Sequence, residues 1–157
     1  MDSVFVFVLP GESQLIGSSD PIVAVAGDDV ILPCSLEPPI DTENLTVAWT
    51  RPDLEPKYVH YYRNGRNLHD GKNPFYKHRT RLFEGELVRG NVSLKLSRVK
   101  LEDEGNYTCR VGQVRTTVIQ LSVGKGNIHT EFYSGLFGGK KYSLVSKCGV
   151  FIHSGGL

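Results

Sequence analysis

Cys34, Trp49 and the run Asp103-Glu104-Gly105-Asn106-Tyr107-Thr108-Cys109 lie in segments where apolar and polar side chains alternate. Val30, Leu32, Cys34 and Leu36 fall on one side of an extended chain, as do Leu45, Val47 and Trp49. Tyr107, Cys109 and Val111 repeat the pattern. Successive side chains of a strand point to opposite faces, so each run has one face to bury. Strands of this kind must be covered by a second layer, which constrains this part of the chain to an all-β sandwich.

The rest of residues 14–124 fits that reading. Ile22-Val23-Ala24-Val25 follows the breaker Asp20-Pro21, and Gly27-Asp28-Asp29 turns the chain into residues 30–36. Residues 37–44 form a loop, 45–49 a strand, 52–56 a turn. Residues 58–63 are a strand closed by Asn64-Gly65, a strong hairpin signal. Residues 67–77 hold at most one short edge strand. Strands are expected at 80–83, 92–96, 105–111 and 116–123, with a helical-turn corner at 99–104. The count is about nine strands in two antiparallel sheets. The connection around Gly112-Gln113-Val114 is short, three residues sufficing, so recognition has to use a sheet face or other loops.

A cysteine, a tryptophan and a second cysteine two residues after a tyrosine form the residue set of an immunoglobulin sandwich, and the extra strand pair makes it variable-type. That resemblance implies a Cys34–Cys109 disulfide pinning the sheets together, with Trp49 packed on it. It also implies a corner tied down by the Tyr107 hydroxyl. Closing so long a loop is worth about 4 kcal/mol in the chain-entropy model. Such a bond persists in an oxidising compartment. Cys148 is then free, paired with another chain, or part of a non-native tail, the last being the reading preferred here. Domains of this type present a surface to another protein and rarely do chemistry.

Residues 1–13 read as a truncated signal or leader: Val4-Phe5-Val6-Phe7-Val8-Leu9 is apolar but short, and no basic residue precedes it. A misassigned start is the other reading. Residues 125–157 are rich in glycine and show no strand or helix period, so an irregular, disordered tail is expected. No stretch reaches the ~20 apolar residues of a membrane span, so any anchor lies outside this sequence. A net charge of +1 argues against nucleic-acid binding.

Several motifs are more specific. Tyr62-Arg63-Asn64-Gly65, Tyr76-Lys77-His78-Arg79-Thr80, Gly90-Asn91-Val92-Ser93-Leu94-Lys95-Leu96 and Asp103-Glu104-Gly105 occur in that order. Gly17-Ser18-Ser19-Asp20-Pro21-Ile22-Val23-Ala24, Leu32-Pro33-Cys34 and Trp49-Thr50-Arg51-Pro52 accompany them. Together, over residues 14–124, the chain resembles the butyrophilin and myelin-oligodendrocyte-glycoprotein family. The resemblance implies a type I membrane protein on the external side of the plasma membrane. Its variable-type domain would modulate T cells or mediate adhesion. The position in that fold implies a structural salt bridge between Arg79 and Asp103, with Arg81 as the competing partner.

Three sequons, Asn44-Leu45-Thr46, Asn91-Val92-Ser93 and Asn106-Tyr107-Thr108, are acceptors in a secreted chain if exposed. Asn44 lies at a loop end, and Asn106 alternates with inward Tyr107. The candidate partner face consists of residues alternating with the core: Thr50, His60, Tyr62, Thr108, Arg110, Thr116 and Val118. Tyrosine and arginine are enriched at interface cores; Tyr62 packing beneath its own hairpin is the competing reading. Loops at 37–46 and 63–70 share one end of the sandwich with that face.

Catalytic readings fail. Gly135-Leu136-Phe137-Gly138-Gly139-Lys140-Lys141 has the wrong spacing for a phosphate loop and no hydroxyl after the lysine. The five histidines form no paired metal-ligand spacing, and no G-x-S-x-G occurs. The sequence therefore predicts no enzyme, cofactor, metal or small-molecule substrate. It predicts a recognition domain for a protein counter-receptor, T-cell-receptor-like or immunoglobulin-like, that modulates T-cell activation and cytokine production. A homophilic adhesion domain acting as a homodimer is the alternative.

Overall fold

The structure, a computed structural model, describes residues 12–113 and 115–126 in full, and the backbone of three strands beyond them. Residues 1–11 of the segment 1–13 expected to be a leader, and Cys148 with its three possible fates, lie outside the described residues.

Residues 14–124 form eleven strands. They are β1 (Gln14–Ile16), β2 (Ile22–Val25), β3 (Val30–Leu32), β4 (Ser35–Glu37), β5 (Val47–Thr50) and β6 (Tyr58–Arg63). Then follow β7 (Arg66–Leu68), β8 (Thr80–Leu82), β9 (Leu94–Leu96), β10 (Gly105–Val111) and β11 (Arg115–Gly124). The front sheet runs β2-β11-β10-β5-β6-β7, the back sheet β3-β9-β8, and β1 pairs with β4 alone. Nine strands were expected. The excess is β1 and the division of residues 30–36 into two. Pro33 has no N–H to give a ladder, and the Cys34 N–H donates instead to Ser93 Oγ at 3.0 Å. The sheets are also not wholly antiparallel, because β2 joins β11 in parallel, Leu121 opposite Ile22.

The turns follow their residues. Asn64 and Gly65 take φ of 51° and 73°, the left-handed pair that a two-residue hairpin needs, and Arg63 faces Arg66 across it. Ladder pairing of β10 with β11 ends at Val111 opposite Arg115, which fixes the connection at residues 112–114.

Leu32, Cys34, Leu36, Val47, Trp49, Leu94, Leu96, Tyr107, Cys109, Val111, Ile119 and Leu121 meet in one buried cluster between the sheets. Full burial of each aliphatic side chain is worth about 1.5–3 kcal/mol. Cys34 and Cys109 are joined by a disulfide across the layers. Trp49 lies opposite Cys109 in the ladder and donates its indole N–H to the Val92 carbonyl at 2.9 Å.

The tail departs from expectation. It contains β12 (Tyr133–Phe137), β13 (Lys140–Val145) and β14 (Val150–His153), an antiparallel sheet in the order β12-β13-β14. A run such as Tyr133-Ser134-Gly135-Leu136-Phe137 carries no two-residue period. Its pairing rests on backbone groups, which periodicity does not report. Residues 127–132, 138–139, 146–149 and 154–157 lie outside the described residues, and with them much of the expectation of disorder.

Candidate recognition face

Most polar groups at the end of the sandwich near the 3-10 turn Leu101–Asp103 are consumed by structure, Arg79 Nε alone being buried without a partner among the described residues. Arg79 and Asp103 are both buried and form a bidentate pair. Arg79 Nη1 also donates to the Phe75 carbonyl at 3.0 Å, and Nη2 to the Arg98 carbonyl at 3.2 Å. The Asp103 carboxylate in turn accepts from the Lys100 N–H at 2.7 Å. Arg81, the competing partner, is exposed.

Tyr107 donates to the Asp103 carbonyl at 2.6 Å, the corner bond the sequence implied. With its proton so used, it accepts from the Tyr76 hydroxyl at 2.9 Å. Tyr76 accepts in turn from Arg51 Nη1 at 2.8 Å. Arg51 completes the set by donating to the Glu102 carbonyl at 2.7 Å and pairing with Asp53 at 2.6 Å. Burial pushes the Tyr107 phenol well above its ordinary pKa. Burial opposes the charge on Arg51, but the bonds to Asp53 and Tyr76 outweigh it and hold the guanidinium above its usual range. Sequence reasoning missed Arg51 and Tyr76 here. The signal was an arginine two residues beyond the core tryptophan. Gly105, at φ 153°, lets that guanidinium lie against the backbone: an added Cβ would meet Arg51 Nη2 at 3.0 Å.

The outward face of the front sheet is read from its register. Trp49 and Cys109 point inward, so Ala48, Thr50, Thr108 and Arg110 point outward. One row across the strands runs Thr116, Arg110, Ala48, Tyr61, Leu68. The next runs Val118, Thr108, Thr50, Tyr58. The Tyr58 and Tyr61 rings lie 5.4 Å apart. Val118 is 56% exposed, and Arg110 makes no ion pair among the described residues.

Two expected members of this face are not on it. His60 and Tyr62 are buried, facing Trp49 and Val47 from the core side. The cause is a register shift between Trp49 and Thr50: Trp49 faces His60, but Thr50 faces Tyr58, leaving Val59 as the extra residue. One inserted residue inverts the alternation. Tyr62 joins the core cluster, in keeping with the competing reading of it.

His60 is instead the centre of a hydrogen-bond relay. Asn67 donates to Glu84 at 2.9 Å, so its carbonyl oxygen is left to accept from His60 Nε2 at 2.8 Å. This assigns Nδ1 as the acceptor from Thr80 Oγ1, at 2.9 Å. Lys72 Nζ donates to the same Thr80 oxygen at 2.7 Å. Burial pushes the His60 pKa down to about 4, so the imidazole is neutral at pH 7.

Of the sequons, Asn44 and Asn106 are exposed. Asn91 is partly buried, and its side-chain oxygen accepts from the Ser93 N–H at 3.1 Å. Asn106 lies opposite Gln120 at the edge of the outward face. Among the described residues, no cluster of histidine, cysteine and carboxylate side chains could hold a metal, and no helix is long and apolar enough to cross a membrane.

Residues 17–126 match the model of the immunoglobulin V-set domain. The chain belongs to the immunoglobulin V-set family. This V-set domain is 38% identical over 99 residues to myelin-oligodendrocyte glycoprotein of Macaca fascicularis, spanning 63% of this chain and 40% of that protein. It is 32% identical over 111 residues to the mouse V-set domain containing T-cell activation inhibitor 1, spanning 71% of this chain and 36% of that protein. The solved structure of bovine butyrophilin superposes with a TM-score of 0.68 at 26% identity, covering 83% of this chain and 64% of that one. The resemblance read from the motifs is thus borne out. The V-set chain spans about 40% of the length of the first of these relatives.

Proposed function

We propose that this V-set domain works outside the cell, on the external side of the plasma membrane. There it binds a protein counter-receptor through the outward face of β11, β10, β5 and β6. Binding modulates T-cell activation and cytokine production, in line with the name of its mouse relative, V-set domain containing T-cell activation inhibitor 1. The observation that carries the reading is the pair of cross-sheet rows. They set Tyr58, Tyr61, Arg110 and Val118 side by side on a rigid sheet. Tyrosine and arginine are the residues that anchor interface cores, and a preformed sheet spends little entropy on binding. Glycosylation at Asn44 and Asn106 fits exposed positions, and a glycan on Asn106 would fence one border of the face.

The test is binding of the oxidised domain to resting and activated T cells, with cytokine release as the second readout. Tyr61→Ala with Arg110→Ala removes binding if this face is the contact. Unchanged binding by a folded double variant overturns the assignment. Homophilic adhesion is the second reading, favoured by exposed Val118 and the lack of an acidic residue along either row. A two-fold dimer in sedimentation, lost in the same double variant, selects it over a heterologous partner.

A further inference from the structure

A concavity of about 400 Å³ opens at the edge of β8, away from the face described above. Lys72, Arg79, Arg81, Lys95, His69 and His78 contribute to its wall, and no carboxylate does. The whole chain has a net charge of only +1, so this wall concentrates charge that the sequence otherwise balances.

Two features show that this charge is incompletely compensated. Arg81 and Lys95 stand directly opposite each other on β8 and β9, on the same side of the back sheet. Like charges in that relation repel and destabilise the pairing. Lys95 reaches Asp29 at 3.4 Å at the surface, whereas Arg81 has no carboxylate within ion-pair distance among the described residues. The Lys72 ammonium is half-buried and donates to the Thr80 hydroxyl, and it too has no such carboxylate. Burial lowers its pKa, which registers the cost of holding that charge away from water.

We infer that this concavity binds a sulfated polysaccharide chain. A site for a drug-like molecule is mostly apolar, and a protein contact pairs arginine with tryptophan or tyrosine anchors. This wall has no large aliphatic, phenylalanine, tyrosine or tryptophan side chain, so charge is what it offers. The cations come from separate segments: Lys72 before the 3-10 turn Pro74–Tyr76, Arg81 on β8, and Lys95 on β9. They wrap the strand edge and suit a string of anionic groups rather than one ion. The disulfide places the domain in an oxidising compartment, where sulfated glycans are a fixed source of such strings.

The test is a biosensor measurement with the full oxidised chain and a heparin oligosaccharide. Saturable binding is expected, weakening about tenfold or more between roughly 50 and 200 mM salt. The double variant Arg81→Gln, Lys95→Gln should lose about tenfold in affinity without a lower melting point, since it also removes the like-charge pair. Lys72→Met is a second, independent loss. Arg89→Gln, exposed and outside this wall, should bind as the parent does. Four results would overturn the inference. They are no binding at low salt, undiminished binding by the folded double variant, full displacement by inorganic sulfate at matched ionic strength, and equal binding of desulfated heparin or polyglutamate.

Discussion

The corner around Tyr107 and the outward face of the front sheet are both rich in tyrosine and arginine, yet those residues are used in opposite ways. At the corner, Arg51, Arg79, Tyr76 and Tyr107 donate to named acceptors and are buried or nearly so. On the face, Arg110 has no ion-pair partner among the described residues, and Tyr58 and Tyr61 make ring contacts alone, with each other and with the Lys57 ammonium over Tyr58. Residue type alone therefore does not separate scaffold from contact surface. What separates them is whether each polar group's bonding capacity is already spent within the fold.

The sharpest way to break that contrast is Asp103→Ala. It strands the buried Arg79 guanidinium and should cost about 3–5 kcal/mol in urea denaturation. A loss below about 1 kcal/mol would mean the corner is not the rigid end of the molecule. The next effect comes from pH. His60 has a folded pKa of about 4, below its ordinary value of 6.5. Between those values the unfolded chain holds a proton that the folded one refuses. Stability should fall as pH drops from 6.5 to about 4 and level off below, by about 3 kcal/mol in all. His60→Gln should flatten that slope, whereas an unchanged slope would place the acid sensitivity elsewhere. Tyr107→Phe removes one hydroxyl from the corner relay and should cost about 1–3 kcal/mol. The smallest effect on stability is expected on the face. Tyr61→Ala and Arg110→Ala should each shift stability by about 0.5 kcal/mol or less, while reducing partner binding at least tenfold. A large loss of stability from either would erase the distinction between the two regions.

Much of the scaffold was legible because it rests on local signals. Trp49, Tyr107 and Cys109 sit on alternating strands and Cys34 in an alternating run between two, and Asn64-Gly65 dictates its own turn. The Arg79–Asp103 pair followed from the fold's resemblance rather than from any spacing. The face was less legible. Tyr58-Val59-His60-Tyr61-Tyr62 is apolar or aromatic at nearly every position, so nothing in it marks the bulge. Alternation carried through from β5 then assigns His60 and Tyr62 to solvent, one residue out of phase. Arg51 and Tyr76 escaped for a different reason. They are far apart in sequence and come together only once β5 and the Pro74–Tyr76 turn pack at one end.

The abrupt link from Val111 to Arg115 has a consequence for how such a surface diversifies. Without a long finger here to lengthen or reshape, new preferences on the sheet face itself arise by exchanging side chains at fixed points of a lattice, about 4.8 Å from strand to strand. Each exchange alters one square of a flat board whose geometry stays put, so selectivity here evolves by composition, not by shape.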